Sequence, residues 1–135
     1  MSYVINGHIK TLQNINLPPE TKELIAENVF LKSLVGCPTF ITKFKLKGNL
    51  LTDFRHLPVN TTHIDISDNN ISSLMGCPAN VTHLKVSSNN IKSLKGCPDS
   101  LQSLDCSYTH ITTFDGVNPK LQSVVASFTQ LNSMK

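Results

Sequence analysis

The sequence predicts a solenoid of short parallel β-strands with little or no α-helix, and three observations indicate this fold class. From Thr21 onward the 135-residue chain lines up in units of twenty residues without a gap. Apolar residues recur at four positions of each unit, and glycine and proline recur at two others. A fixed period of about 20–50 residues is typical of solenoids, in which each unit buries its apolar side against its neighbours.

The apolar positions predict the strands. With Thr21 counted as position 1, positions 4 and 6 alternate with mostly polar residues, which is the period of a strand with one buried side. Positions 11 and 14 add two further apolar side chains to each unit. In the unit that begins at Val81 the four residues are Leu84, Val86, Ile91 and Leu94. A strand this short cannot bury its apolar side alone, so we expect equivalent strands to stack in parallel about 4.8 Å apart.

Other positions predict the turns. Position 9 is asparagine in three units, and we expect Asn49, Asn69 and Asn89 to form a structural ladder whose amides satisfy backbone groups where the chain leaves the strand. Position 16 is usually glycine, which permits a left-handed turn. A proline commonly follows two residues later and disfavours a helix. The return side should therefore be extended or a brief 3₁₀ turn.

We expect the whole chain, residues 1–135, to be a single repeat domain of about seven rungs. Residues 21–135 form the regular repeats, and residues 1–20 form an irregular first repeat. The residues that match positions 6, 9, 11 and 14 in this first repeat are Val4, Gly7, Ile9 and Leu12.

The recurring pattern Leu84-x-Val86-x-x-Asn89-x-Ile91 resembles the leucine-rich-repeat signature. The twenty-residue period, with second halves such as Ile-Ser-Ser-Leu-Met-Gly-Cys-Pro at residues 71–78, resembles the short repeats of bacterial effectors. The resemblance implies a leucine-rich-repeat solenoid with parallel strands on its concave face. It also implies a protein–protein interaction module that binds a protein partner through this face and its rims, and it suggests a viral or microbial effector.

Polar side chains at positions 3, 5, 7 and 8 would lie on the concave face. Three lysines of one rung, Lys43, Lys45 and Lys47, would suit an acidic partner, although an ordinary solvated strand explains them as well. The candidate partner-binding residues are Lys43, Lys45, Lys47, His63, Asp65, His83, Lys85, Asp105 and Tyr108.

Two histidines of this set occupy the same repeat position. His63 and His83 should be neighbours on the concave face, beside Asp65 and Asp105, where a metal site or a pH-sensitive contact is conceivable. Ordinary solvated strand residues are the simpler interpretation, and we predict no metal site.

The last repeat is a second candidate contact surface. Val125 and Phe128 are apolar where earlier repeats carry mostly charged residues or serine, and no capping segment follows them. An uncapped terminal repeat exposes its core and an unpaired strand edge. We therefore expect self-association into a homodimer. Its contact residues would be Val125, Phe128, Leu131 and Met134. A frayed end or a longer natural chain is the alternative.

Composition and motifs argue against several other functions. The net charge of +3 is too small to require nucleic acid, and no apolar run reaches the roughly 18 residues of a membrane span. The sequence holds no nucleophile elbow, phosphate loop or paired carboxylates, so we predict no enzyme, no cofactor and no small-molecule substrate.

The cellular location follows from the N-terminus and the cysteines. No secretory signal is visible, so we expect a cytoplasmic protein whose four cysteines are reduced. Glycosylation patterns at Asn60, Asn70 and Asn80 would matter only in a secreted binder.

Overall fold

The computed structural model describes residues 1–127 and residue 129, and its regular structure consists of three-residue β-strands. They are β1 (Ser2–Val4), β2 (Glu23–Ile25), β3 (Lys43–Lys45), β4 (His63–Asp65), β5 (His83–Lys85), β6 (Ser103–Asp105) and β7 (Ser123–Val125). All pair in parallel, in chain order from β1 to β7. The described residues contain no α-helix. The predicted leucine-rich-repeat solenoid of parallel strands is therefore confirmed.

The strand register reproduces the sequence period. From β2 onward each strand residue pairs with the residue at the same repeat position of the next unit, as Leu24 does with Phe44. The pairing of β1 with β2 joins Ser2 to Glu23, so the irregular first repeat is one residue longer between strands. Val4 pairs with Ile25 at position 5 and is exposed, so the predicted match of Val4 to buried position 6 is wrong. None of the described residues belongs to a helix that is long and apolar enough to cross a membrane.

The core is a continuous stack of apolar side chains on the inner side of the sheet. Position 4 supplies the central residue of each strand, and those of β2 to β6 are at most 3% exposed. Positions 6, 11 and 14 extend the same core. Burial of one such side chain contributes about 1.5–3 kcal/mol, and each rung needs its neighbours to achieve it.

Repeat position 1 also belongs to the interior, although threonine alternates there with apolar residues. Thr21, Ile41, Thr61, Val81 and Leu101 are all at most 2% exposed. The Thr61 hydroxyl donates a hydrogen bond to the Pro58 carbonyl oxygen at 2.6 Å. At Thr61 this local bond offsets the cost of burying the hydroxyl, whereas the buried Thr21 hydroxyl has no hydrogen-bond partner among the described residues.

Two left-handed residues turn the chain in most units. At position 16, Gly76 has a φ of +87° and Gly96 a φ of +91°, and His56 adopts +73° at the equivalent site. Position 8, three residues after the end of each strand from β2 to β6, is left-handed as well. Its residues from Asn28 to Tyr108 have φ values between +54° and +76°. These turns bring each strand back beside its predecessor.

Candidate functional site

The outward-facing side chains of β2 to β7 line one shallow depression, which we call the concave face. It is built from repeat positions 3 and 5, the residues on either side of each buried central strand residue. Seven candidates from the sequence meet there: Lys43, Lys45, His63, Asp65, His83, Lys85 and Asp105. Because successive strands pair in register, these side chains form two rows across the sheet.

Two other candidates lie outside the depression. Lys47 is exposed and follows the end of β3 by two residues. Tyr108 is 57% exposed and occupies the left-handed turn position after β6, with a φ of +55°. Position 8 therefore forms a rim of the face and is not part of the strands.

The row at position 5 alternates in charge. Lys45, Asp65, Lys85 and Asp105 are successive cross-strand neighbours. Asp65 is held in place, because its Oδ1 atom accepts a hydrogen bond from the backbone N–H of Ser67 at 3.1 Å. Asp105 makes the equivalent bond with Ser107 at 3.1 Å. Alternating opposite charges on adjacent strands are weakly stabilising and keep both signs available to a partner.

The lysines of the face are not neutralised by close carboxylates. Among residues 1–127 and 129, the salt bridge that forms joins Arg55 to Asp53, at the other side of the repeat. Lys43, Lys45 and Lys85 are exposed and make no ion pair within 4.0 Å in this part of the chain. Their ammonium groups can therefore bind an external anion without first breaking an internal contact.

The row at position 3 contains a stacked pair of imidazoles. The ring centroids of His63 and His83 are 4.3 Å apart and the ring planes differ by 6°. The Nδ1 atom of each ring lies 2.9 Å from the hydroxyl oxygen of the preceding threonine, Thr62 or Thr82. These threonines were not among the sequence candidates, but the Thr-His dipeptide at the same position of two successive repeats was a signal for them.

The asparagines at position 9 lie beneath the face and join neighbouring rungs. The Asn69 side-chain amide donates to the carbonyl oxygens of Leu46 at 3.0 Å and Ile66 at 3.1 Å. Its Oδ1 accepts from the Leu51 N–H at 2.9 Å. Asn49 and Asn89 make equivalent bonds. These bonds fix the backbone that presents the strands.

The four cysteines are all free thiols. Cys106 is buried, and Cys37, Cys77 and Cys97 are half-buried against the core. Burial raises the pKa of Cys37 to about 12 and, with a smaller contribution from Cys97, that of Cys77 to about 12. Such thiols are poor nucleophiles near neutral pH. Among the described residues no cluster of three or more histidine, cysteine or acidic residues is placed to hold a metal ion.

The last described strand presents apolar side chains to solvent. Val124 is 41% exposed and Val125 is 49% exposed. They line a second depression together with Phe114, Val117 and Leu121. The other residues predicted for self-association, Phe128, Leu131 and Met134, lie outside the described residues.

Comparison with solved structures identifies the repeat. The chain is 28% identical to YopM from Yersinia enterocolitica WA-314, with a TM-score of 0.75 over 90% of this chain. It is also 28% identical to a Shigella effector leucine-rich-repeat domain, with a TM-score of 0.76 over 85% of this chain. The chain is a leucine-rich-repeat protein resembling these bacterial effector repeats. No protein-family model matches it, and no curated protein sequence does.

This leucine-rich-repeat chain spans 27% of the length of the YopM chain and 53% of the Shigella effector chain. Repeats of this kind are typical of protein–protein interaction modules and generally serve as non-enzymatic scaffolds. Since the repeat itself is structural, it does not specify a partner.

Proposed function

We propose that this leucine-rich-repeat protein binds a partner protein on its concave face and that the partner contributes an acidic segment. The observation that carries the proposal is the set of exposed lysines, Lys43, Lys45 and Lys85, that make no ion pair within the described part of the chain. Lys47 extends this positive surface to the rim. Charges of one sign that lack internal partners favour a ligand of the opposite sign and accelerate its association.

The geometry of the face supports an extended segment. The lysines lie on β3 and β5, which are separated by one strand, and a depression runs past both. Asp65 between them sets the spacing at which a partner must place its own charges. An acidic residue opposite each lysine would be favourable, and one opposite Asp65 would be repelled, which gives the face selectivity as well as affinity.

Charge reversal of the lysine rung tests this function. Proteins captured from a cell extract on the immobilised chain are identified and purified, and the affinity of each is measured separately. The affinity for a genuine partner should fall about tenfold or more in the triple variant Lys43→Glu, Lys45→Glu, Lys47→Glu. Each lost exposed ion pair contributes roughly 0.5 kcal/mol or more. The wild-type affinity should also fall as salt is raised, because exposed charges are screened.

The matched control reverses three exposed lysines away from the face. These are Lys32, Lys92 and Lys95, which lie on the return side of the repeat and are exposed, as the lysines of the rung are. Their triple reversal to glutamate changes the net charge equally but should leave partner affinity unchanged. Equal losses in the two triple variants, or no loss in either, would contradict binding at the lysine rung.

The second candidate function is assembly, in which the chief partner is another copy of the chain. The exposed Val124 and Val125 side chains on the edge strand β7 favour it, because apolar edge strands readily pair with a second chain. Light scattering over a concentration series should then give a homodimer mass for the wild type and a monomer mass for Val125→Asp. A wild-type mass that stays monomeric would exclude this function.

The cellular location is inferred from the cysteines, and the biological role is inferred from the resemblance to solved structures. We infer a cytoplasmic location, supported by four free cysteines, of which Cys77 and Cys97 occupy equivalent positions of adjacent rungs without a disulfide. An effector role, in which a microbial or viral protein binds a protein of its host, is supported by the resemblance to the Yersinia and Shigella repeats.

A further inference from the structure

The stacked imidazoles of His63 and His83 occupy the middle of the concave face, on adjacent strands β4 and β5. Neutral rings can stack favourably at a centroid distance of 4.3 Å. Two protonated rings at that distance would repel each other. The pair therefore has two states of different charge and different internal energy, and a partner that prefers one state will bind with a pH-dependent affinity.

The hydroxyl of the preceding threonine contacts the Nδ1 atom of each ring and leaves Nε2 facing away from it. The Thr62 hydroxyl lies within donating distance of the Thr42 carbonyl oxygen, at 3.3 Å, and Thr82 repeats this with Thr62 at 3.3 Å. We assign the hydroxyl as the donor to the carbonyl oxygen, so that it accepts from the imidazole and the hydrogen of each neutral ring is placed on Nδ1. The Nε2 atoms then carry the free lone pairs.

Proton uptake at this site needs no rearrangement of the network. A proton from solvent adds to Nε2, while the Nδ1–H bond to the threonine stays in place. Among the described residues neither Nε2 atom has a hydrogen-bond partner. A protonated Nε2–H therefore becomes a charged donor that is open to the depression, and either ring of the pair can supply it.

The charged groups around the pair include some that lower the pKa of His63 and one that raises it. Those on the packed strands are Glu23 of β2, Lys43 and Lys45 of β3, Asp65 of β4, Lys85 of β5 and Asp105 of β6. Partial burial, followed by the nearby His83 and Lys43, lowers the pKa of His63, and Glu23 opposes this by raising it. A proton on His63 is therefore disfavoured in the free protein, and a new negative partner would stabilise it.

We propose that the His63–His83 pair binds an acidic side chain of the partner protein and takes up a proton from solvent in doing so. A carboxylate placed over the two rings accepts a charge-assisted hydrogen bond from the Nε2–H of the ring that gains the proton, and its charge offsets the cost of holding that proton beside the second ring. The site lies on the concave face and depends on the protein-binding function proposed for that face. Its signature is an affinity that increases as the pH falls.

A peptide of six aspartates is the probe for this site. Aspartate has an ordinary pKa of about 3.9, so the peptide keeps its charge between pH 7.5 and pH 5.5. Wild-type affinity should increase by about tenfold or more between these pH values, and complete uptake of one proton across both pH units would give about 100-fold. His63→Gln with His83→Gln should lose this increase, while His110→Gln, which removes an exposed histidine outside the depression, should keep it.

The outcomes separate this site from the function of the face as a whole. Peptide binding at pH 7.5 that needs the lysine rung but does not change with pH would overturn the histidine site alone. An equal increase in the histidine double variant would overturn it as well. No binding of the peptide at either pH would contradict the acidic-partner function itself.

A second readout does not depend on a ligand or on the double variant being folded. The imidazole resonances of His63 are followed by NMR from pH 8 to pH 5 in the free protein, with and without His83→Gln. Removal of the neighbouring imidazole should raise the pKa of His63, because one cause of its depression is lost. An unchanged pKa of His63 would show that the neighbouring ring does not affect the protonation of His63 and would overturn the paired site.

Discussion

The asparagine ladder makes a quantitative prediction about coupling between rungs, because its amides share acceptors. The Ile66 carbonyl oxygen accepts from Asn69 at 3.1 Å and from Asn89 at 3.0 Å, and these are its hydrogen-bond donors in the described residues. In the same way the Leu46 carbonyl accepts from Asn49 at 2.9 Å and from Asn69 at 3.0 Å. Each shared carbonyl therefore keeps one partner when a single asparagine is removed.

The single substitution Asn69→Ala should cost about 2–4 kcal/mol. It orphans the buried Leu51 N–H, at about 1–3 kcal/mol, and removes one bond to the Leu46 carbonyl of the neighbouring rung and one to the Ile66 carbonyl of the same rung, which contribute roughly 1 kcal/mol in total. The double variant Asn69→Ala with Asn89→Ala additionally leaves the Ile66 carbonyl without either donor. The double should therefore lose about 1–3 kcal/mol more than the sum of the singles.

The assay is urea denaturation followed by far-UV circular dichroism for the two singles and the double. The control cycle combines Asn49→Ala with Asn89→Ala, which lie two rungs apart and share no acceptor. Its two costs should add to within about 0.5 kcal/mol. Additive costs in the Asn69 and Asn89 cycle, or equal coupling in both cycles, would refute the shared-carbonyl explanation.

Two further predictions concern the turns and the thiols. Gly96→Ala should destabilise the fold by about 1–3 kcal/mol more than Gly76→Ala, because both have positive φ but only at Gly96 would the new Cβ lie 2.8 Å from the Met75 nitrogen. Equal urea midpoints would contradict this. Burial raises the pKa of Cys37 and Cys77 from 9.0 to about 12, so their contribution to stability is complete below pH 9 and is lost as the pH rises toward 12. Their replacement by valine should reduce alkaline destabilisation, and an unchanged alkaline midpoint would refute this cause.

Much of the fold could be predicted because the period of the sequence is also the period of the structure. Positions 4 and 6 bury their side chains in successive units, so an alternating apolar pair marks each strand, as Leu84 and Val86 do in β5. The parallel order then follows, since every twenty-residue unit returns to the same place beside its predecessor. Strong local patterns that agree with the global packing are the ones a single sequence reveals.

Buried position 1 and left-handed position 8 could not be recognised in this way. Thr61 is buried at position 1 because its hydroxyl bonds to a local carbonyl, and a count of apolar residues misses such a site. Position 8 holds asparagine, glycine, aspartate, serine and tyrosine in successive units, so no residue type marks its positive φ. The backbone geometry there is imposed by the turn between strand and ladder and is adopted despite the side chain.

The arrangement of the concave face depends on atomic detail that spacing alone does not contain. The shared position of His63 and His83 predicts that they are neighbours, but their parallel stacking depends on the hydroxyls of Thr62 and Thr82. Likewise, the number of lysines is visible in the sequence, whereas the lack of ion pairs around Lys43 and Lys45 depends on side-chain conformations across several strands.

The most direct test of the concave-face function is NMR mapping of the six-aspartate peptide on the isotope-labelled chain at pH 7.5, where the lysines carry the interaction. Chemical shifts should change most at Lys43, Lys45 and Lys85, on strands β3 and β5, and should recover as salt is raised. Changes centred on Lys92 and Lys95 of the return side, with none on the strand lysines, would contradict it.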